Sequence, residues 1–236
     1  MVRRAFRFRL YPNQEQQRAL AVQFGHARFV YNWGLATRKA SYADHGKGLS
    51  FYALKRKLTE LKQRDEFAWL KEADSQVLQA KIEDLDRAFT NFFEHRANYP
   101  KFKSRKQVQS IRYPQRFKFR GNQAYLPKVG WVKVVFHRPL EGVAKNVTVS
   151  KTKSGKYFIA VQCEMENESH PQGEGTIGVD LGLKHFAVLS TGEKIDHPHY
   201  LRQSERRLKR LQRRLSQKVK GSANRDKARR VLARQA

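Results

Sequence analysis

The sequence predicts an α+β chain: a helical lobe inserted in a small β-barrel, followed by the start of a second, α/β domain. Three observations predict it. Apolar residues recur at helical spacing from Leu20 to Phe92, but alternate between residues 3 and 10 and again from Phe117 to Cys163. The first strand has no sheet neighbour inside the helical stretch, so the simplest architecture places it in the later barrel. A polar, glycine-bearing stretch from Glu164 to Gly175 reads as a linker before a new run of strands.

Taken in order, Arg3-Arg-Ala-Phe-Arg-Phe-Arg-Leu10 puts Phe6, Phe8 and Leu10 on one side and Arg7 and Arg9 on the other, a half-buried strand. Pro12-Asn13 starts a long helix with Leu20, Phe24, Ala27 and Tyr31 on one stripe, ending at the Asp44-His-Gly-Lys-Gly48 break. Ser50 can cap a second helix through Leu54, Leu58 and Leu61, and Asp74 a third through Leu78, Ile82, Leu85, Phe89 and Phe92. Together they make a bundle-like lobe; a helix-turn-helix built from two of them is the rarer alternative. Past Asn98-Tyr-Pro-Lys-Phe-Lys103 the period becomes two. Strands are expected at Phe117 and Phe119, Trp131 to Phe136, Val147 and Val149, and Tyr157 to Cys163. Turns fall at Gly121-Asn122, Pro139-Leu-Glu-Gly142 and Lys153-Ser-Gly155. Short strands at this spacing predict a small barrel.

In the second domain, Ile177 and Val179, Phe186-Ala-Val-Leu189, the Ser190-Thr-Gly-Glu193 turn and Lys194-Ile195 read as a strand, a short link, a second strand and a hairpin return. This places Asp180 on a strand expected to be buried, where an ionised carboxylate costs several kcal/mol unless compensated. A metal ion is one compensating partner; a strand-end Asp capping the turn at Gly182 is the other reading. From Leu201 a helical stripe of Leu201, Leu208, Leu211 and Leu215 is surrounded by cations, including Arg206, Arg207, Arg210, Arg213 and Arg214. Residues 201–236 hold 14 basic and 2 acidic side chains, a pattern that suits a phosphate backbone. Gly221-Ser222 breaks this helix, and Ala228, Val231 and Leu232 open another stripe. His197-Pro-His199, without a second pair at ligand spacing, reads as a solvent loop.

Over 236 residues, 49 Lys+Arg face 21 Asp+Glu, a net charge of +28 that self-repels unless a polyanion is bound. The excess is spread: residues 1–100 carry 18 basic and 11 acidic side chains, residues 101–170 carry 15 and 4, and residues 171–236 carry 16 and 6. That distribution is unlike a disordered basic tail. Aromatics interleave with the charge in Tyr99-Pro-Lys-Phe-Lys-Ser-Arg-Lys106 and Arg112-Tyr-Pro-Gln-Arg-Phe-Lys-Phe-Arg120. Rings beside cations suit splayed bases and phosphates, although any single ring could equally face the core. Candidate nucleic-acid contacts are therefore Arg7, Arg9, Tyr31, Asn32, Trp33, Lys101, Lys103, Arg105, Lys106, Arg112, Arg116 and Lys118, together with the five arginines after Leu201. No apolar run approaches the ~20 residues of a spanning helix, so a cytoplasmic protein without a membrane partner is expected. The one cysteine, Cys163, can form neither an internal disulfide nor a zinc site, and its strand position reads as a buried small hydrophobe. No Ser/His/Asp arrangement or Gly-rich phosphate cradle emerges, and no small-molecule substrate is expected.

Five spaced motifs carry a family resemblance: Phe8-Arg-Leu-Tyr-Pro-Asn13, Tyr31-Asn-Trp-Gly-Leu35, Tyr99-Pro-Lys-Phe-Lys-Ser-Arg105, Ile177-Gly-Val-Asp-Leu-Gly-Leu-Lys184 and Leu208-Lys-Arg-Leu-Gln-Arg-Arg-Leu-Ser216. In this order they resemble the TnpB (OrfB) family, the RNA-guided DNA endonucleases encoded by bacterial insertion sequences. The resemblance implies that residues 1–10 are the first strand of a wedge barrel, 11–98 a helical, HTH-like recognition lobe, 99–173 the wedge β-barrel, and 174–236 the start of a ribonuclease H-like (RuvC) nuclease domain. It also implies guide RNA and target DNA as partners, Mg²⁺ as cofactor, and Asp180 as the first of three catalytic carboxylates. The family's later Glu, zinc ribbon and final Asp have no counterpart in this sequence. The expectation is therefore an N-terminal part of a TnpB-type protein, without zinc, with an incomplete metal site and incomplete catalysis. The alternative is a non-catalytic nucleic-acid-binding repressor on the same scaffold. Gly178-Val-Asp-Leu-Gly182 also resembles the first phosphate loop of actin-like and Hsp70-like ATPases, but Leu183-Lys184-His185 follow instead of hydroxyl residues, which ranks that reading third.

Overall fold

The computed structural model describes residues 1–166 and 175–235; most of the expected linker, residues 167–174, lies outside them. Two compact units, Met1–Asn167 and Glu168–Ala236, divide the chain. Among the described residues no helix is long and apolar enough to cross a membrane.

The first unit opens with β1 (Val2–Tyr11), whose alternation buries Phe6, Phe8 and Leu10 while Arg7 stays exposed. Asn13 then caps α1 (Gln14–His45): its side chain accepts from Gln16 N, the Gln16 side chain bonds back to the Asn13 N–H, and Gly46 in the left-handed region ends the helix. Ser50 caps α2 (Phe51–Leu61) and Asp74 caps α3 (Ser75–Phe93), as their positions before the apolar stripes predict. A 3-10 helix at Asp65–Glu72, which has no helical stripe to announce it, joins α2 to α3.

The chain then forms β2 (Gln109–Tyr113), β3 (Lys118–Arg120), β4 (Gln123–Leu126), β5 (Gly130–Val135), β6 (Val143–Lys151) and β7 (Tyr157–Met165). With β1 they make a seven-stranded antiparallel sheet in the order β2-β6-β7-β1-β5-β4-β3. The N-terminal strand sits at its centre, with Phe8 opposite Ile159 and Leu10 opposite Val134. The sheet curls into a half-barrel in which β2 and β3 remain the two edges, rather than closing on itself. Its inner face, including Phe8, Val132, Val134, Ile159, Val161 and the fully buried Cys163, packs on Leu20, Phe24 and Ala27 of α1. Farther along, α1 contributes Val30, Tyr31 and Leu35 to a second core with Leu54, Leu58, Leu78, Ile82 and Leu85. Helix α1 thus belongs to both cores, and each fully buried Leu or Phe stabilises the fold by about 1.5–3 kcal/mol.

The second unit holds a sheet of β8 (Val179–Asp180), β9 (His185–Leu189) and β10 (Lys194–Asp196), in the order β10-β9-β8, followed by α4 (Tyr200–Ser216) and α5 (Ala223–Gln235). Helices α4 and α5 pack together, and Arg225 of α5 donates to the Leu215 and Lys218 carbonyls at 3.1 and 2.5 Å, which ties the end of α4 to its neighbour. The expected burial of Asp180 is corrected here. Asp180 is exposed on the two-residue edge strand β8, and Ile177, Val179 and Leu181 around it are exposed as well. Ala187 is the only buried side chain of this sheet, because three short strands supply no second apolar layer to cover a face.

Candidate nucleic-acid interface

Strand register brings cations and rings together on the sheet. Arg9 lies opposite Phe158 and Arg7 opposite Ala160, so both arginines reach the same aromatic side chain. The Arg7 guanidinium sits 4.0 Å from the Phe158 ring centroid and that of Arg9 5.0 Å from it and 5.3 Å from Tyr11. Arg9 also donates to the Tyr157 carbonyl at 3.2 Å. A second cluster forms where β4 meets β5: Tyr125 pairs with Trp131, their rings 5.5 Å apart, and Arg120 lies 5.5 Å over Trp131. Lys118 stands exposed opposite Tyr125.

The basic loop before β2 is fixed by its aromatics and by one amide. Tyr99 meets Phe89 and Phe92 edge-on at 5.6 and 5.2 Å, and Asn32 holds the Lys103 backbone through two hydrogen bonds. Lys39 lies 5.5 Å from the Tyr99 ring and 5.6 Å from Phe102. Lys101, Lys103, Arg105 and Lys106 are exposed and, among the described residues, have no ion-pair partner. In the second unit Arg206, Arg207, Arg210, Arg213 and Arg214 are exposed on α4, where Glu205 instead pairs with Lys209 at 2.7 Å. That bond holds the Glu205 carboxyl below its usual range.

Three sequence-derived candidates have structural duties instead. Tyr31 is 5% exposed inside the helical core; burial, then Asp84, pushes its hydroxyl pKa up, and Lys103 covers the ring at 5.1 Å. It is no open stacking platform. Arg112 donates to Glu83 at 2.7 Å and Asp84 at 3.3 Å, which joins edge strand β2 to α3. Arg116 donates to the buried Asp74 at 2.7 Å. Both charges are neutralised within the fold by partners far away in sequence. Trp33 is half-buried against the helical core, and Asn32 acts on the backbone of the loop. Sequence reasoning missed Phe158, Arg120 and Lys39; for Phe158 the signal was its place on the same alternation as Arg7 and Arg9, once β1 and β7 are paired.

His197 and His199 stack at 4.7 Å in an exposed loop. Among the described residues no group of three or more His, Cys, Asp or Glu side chains could hold a metal ion. Among the described residues, therefore, no carboxylates converge with Asp180 and none complete a Mg²⁺ site with it.

Fold and surface together define a class: a strongly basic α+β protein whose free cations and ring faces suit a polyanion that also carries stackable rings. The chain belongs to the OrfB, TnpB-type transposase family of insertion sequences. Residues 1–47 match that family's helix-turn-helix domain and residues 160–236 its probable transposase domain. The chain is 39% identical over 238 residues to a putative RNA-guided DNA endonuclease of Streptomyces pristinaespiralis, covering 99% of this chain and 59% of the relative. It is 38% identical over 234 residues to the putative RNA-guided DNA endonuclease InsQ of Escherichia coli K12, covering 98% and 58%. It is also 38% identical over 109 residues to virulence protein VsdF of Salmonella dublin, covering 42% of this chain and 92% of that one. The chain thus spans about 59% of the length of the first of these relatives. A cryo-EM structure of a CRISPR-Cas12f ternary complex aligns with 91% of this chain and 55% of its own at 10% identity, with a TM-score of 0.48. The residues matched as helix-turn-helix fold here as β1 and the single 32-residue helix α1, not as two helices joined by a turn.

Proposed function

We propose that this chain binds guide RNA and target DNA as part of an RNA-guided DNA endonuclease of the TnpB type, with the half-barrel and α4 holding sugar-phosphate backbones. The observation that carries the reading is the Arg7-Phe158-Arg9 stack, which presents two cations and a ring at one spot on the sheet. The identity to two putative RNA-guided DNA endonucleases supports it. The test is fluorescence anisotropy of labelled single-stranded RNA across a salt series. Wild-type chain is expected to bind with a steep salt dependence, and Arg7→Gln/Arg9→Gln to lower both affinity and slope, by about 0.7 per lost phosphate contact. Absence of RNA binding at low salt overturns the reading.

Asp180 enters this reading as one carboxylate of a Mg²⁺-dependent site. Its exposed edge-strand position and the lack of converging ligands among the described residues mean that no cleavage step can be built from these side chains. The same observation favours a second reading, a chain that binds nucleic acid without cutting it. Incubation with RNA, target DNA and Mg²⁺ separates the two: nicking that disappears in Asp180→Asn sinks the second reading, and absence of nicking supports it.

A further inference from the structure

One face of α1 borders an open groove of about 600 Å³ in the first unit. Phe29 and Trp33 of α1, Phe67 of the 3-10 helix and Phe102 of the basic loop supply its rings, Gly25 is bare backbone beside them, and Arg28, Asn32 and Ala36 complete the lining. Two of these rings lie together, Phe29 5.7 Å from Phe67, and Trp69 meets Phe29 edge-on at 4.9 Å. Phe102 is 51% exposed, and its loop is anchored next door by Asn32. Arg28 is oriented by a 2.6 Å hydrogen bond to Gln109.

Gly25 is the second, independent observation. A glycine inside a helix costs roughly 0.5–1 kcal/mol against alanine, so it usually answers to a packing need. Gly34 in the same helix has one, because a Cβ there would lie 3.0–3.3 Å from Leu85, Ile82 and Leu54. A Cβ on Gly25 would meet nothing nearer than the Arg28 guanidinium at 4.0 Å. Among the described residues nothing requires the bare backbone at Gly25, and it borders the groove.

The lining holds no carboxylate, while Lys39 sits 5.6 Å from the Phe102 ring and Lys101 and Lys103 flank Phe102 in sequence. Ring faces beside bare backbone and a cationic rim match a flat aromatic group tethered to phosphates. We propose that this groove receives one unstacked nucleobase of a single-stranded nucleic acid, with the flanking phosphates on the lysine rim. The inference rests on the nucleic-acid-binding reading and adds to it a base-binding site separate from the sheet stack.

The test compares two fluorescein-labelled strands of about 20 nucleotides with equal charge, oligo(dT) and an abasic tetrahydrofuran analogue, by anisotropy on the full chain. Wild-type chain is expected to prefer oligo(dT) by about tenfold, in line with one stacked base. Gly25→Leu, which fills the groove, and Phe102→Ala, which opens its exposed wall without crowding, are each expected to erase that preference and leave abasic binding unchanged. Melting curves verify that both variants fold. Wild-type binding to neither strand defeats the underlying nucleic-acid reading. Binding to both with a preference that survives the two variants overturns the groove alone, as does an equal loss on both strands.

Discussion

The side-chain amide of Asn32 clasps the backbone of Lys103 from both sides, accepting from its N–H at 2.8 Å and donating to its carbonyl at 2.9 Å. One residue of α1 thereby fixes the loop that carries four cations without an ion-pair partner among the described residues. At about 1 kcal/mol for each hydrogen bond, Asn32→Ala should release roughly 2 kcal/mol of loop anchoring. Trypsin is expected to cut residues 101–106 faster in this variant, with the melting temperature of the unit falling by a few degrees. Unchanged cleavage kinetics would remove the clasp from the account.

Asp74 joins helix to sheet. It caps α3 through the Gln76 and Val77 N–H groups and accepts from Arg116, a residue held at φ 64° beyond β2. Asp74→Ala removes the cap and leaves Arg116 without its counter-charge, an expected loss of about 2 kcal/mol in urea unfolding. Asp74→Asn keeps the cap and should lose about half as much.

The two glycines inside α1 should respond oppositely to alanine. Gly25→Ala adds a methyl group into open space and is expected to stabilise by about 0.5–1 kcal/mol. Gly34→Ala drives a methyl group against three side chains and should fall below it by about 1–3 kcal/mol. Thermal melts of the pair provide the comparison.

Glu164 collects Lys145 and Arg3, each at 2.9 Å, where β1, β6 and β7 run together. Its carboxyl is held below the usual range first by the hydrogen bond from Lys145, then by that from Arg3. A carboxyl depressed in the folded state contributes stability above its unfolded pKa, near 4.5, and loses it as pH falls through the folded value. Between pH 6 and 3 the wild-type melting temperature should therefore drop more than that of Glu164→Gln.

On α4, replacing Arg206, Arg210 and Arg213 with Gln should weaken duplex DNA binding and reduce the slope of log affinity against log salt by about 0.9 per contacted phosphate. An unchanged slope would show that this helix does not follow the backbone.

Local chemistry made much of this fold legible. Asn13, Ser50 and Asp74 announce three helix starts, and the alternation through Phe6, Phe8 and Leu10 announces β1 with its exposed Arg7. Strand β2 and the 3-10 helix lacked any clear period. The site was read less evenly, because free cations and paired ones look alike in sequence. Arg112 and Arg116 find their carboxylates 28 to 42 residues away, and Tyr31 turns into a core that only the packed helices create. Asp180 was expected to be buried from its apolar neighbours, yet burial needs a second layer, and a two-residue edge strand has none here.

The central position of β1 sets a timetable for synthesis. Phe8 leaves the ribosome about 150 residues ahead of its partner Ile159, roughly 10–30 s at ordinary elongation rates. In that interval the helices can fold on local contacts, while Phe6, Phe8 and Leu10 wait without a sheet to join. The four arginines at positions 3, 4, 7 and 9 give the waiting strand a repulsive edge against copies of itself on neighbouring ribosomes. The same charges that suit a nucleic acid in the finished protein would then act earlier, as guards of a nascent chain.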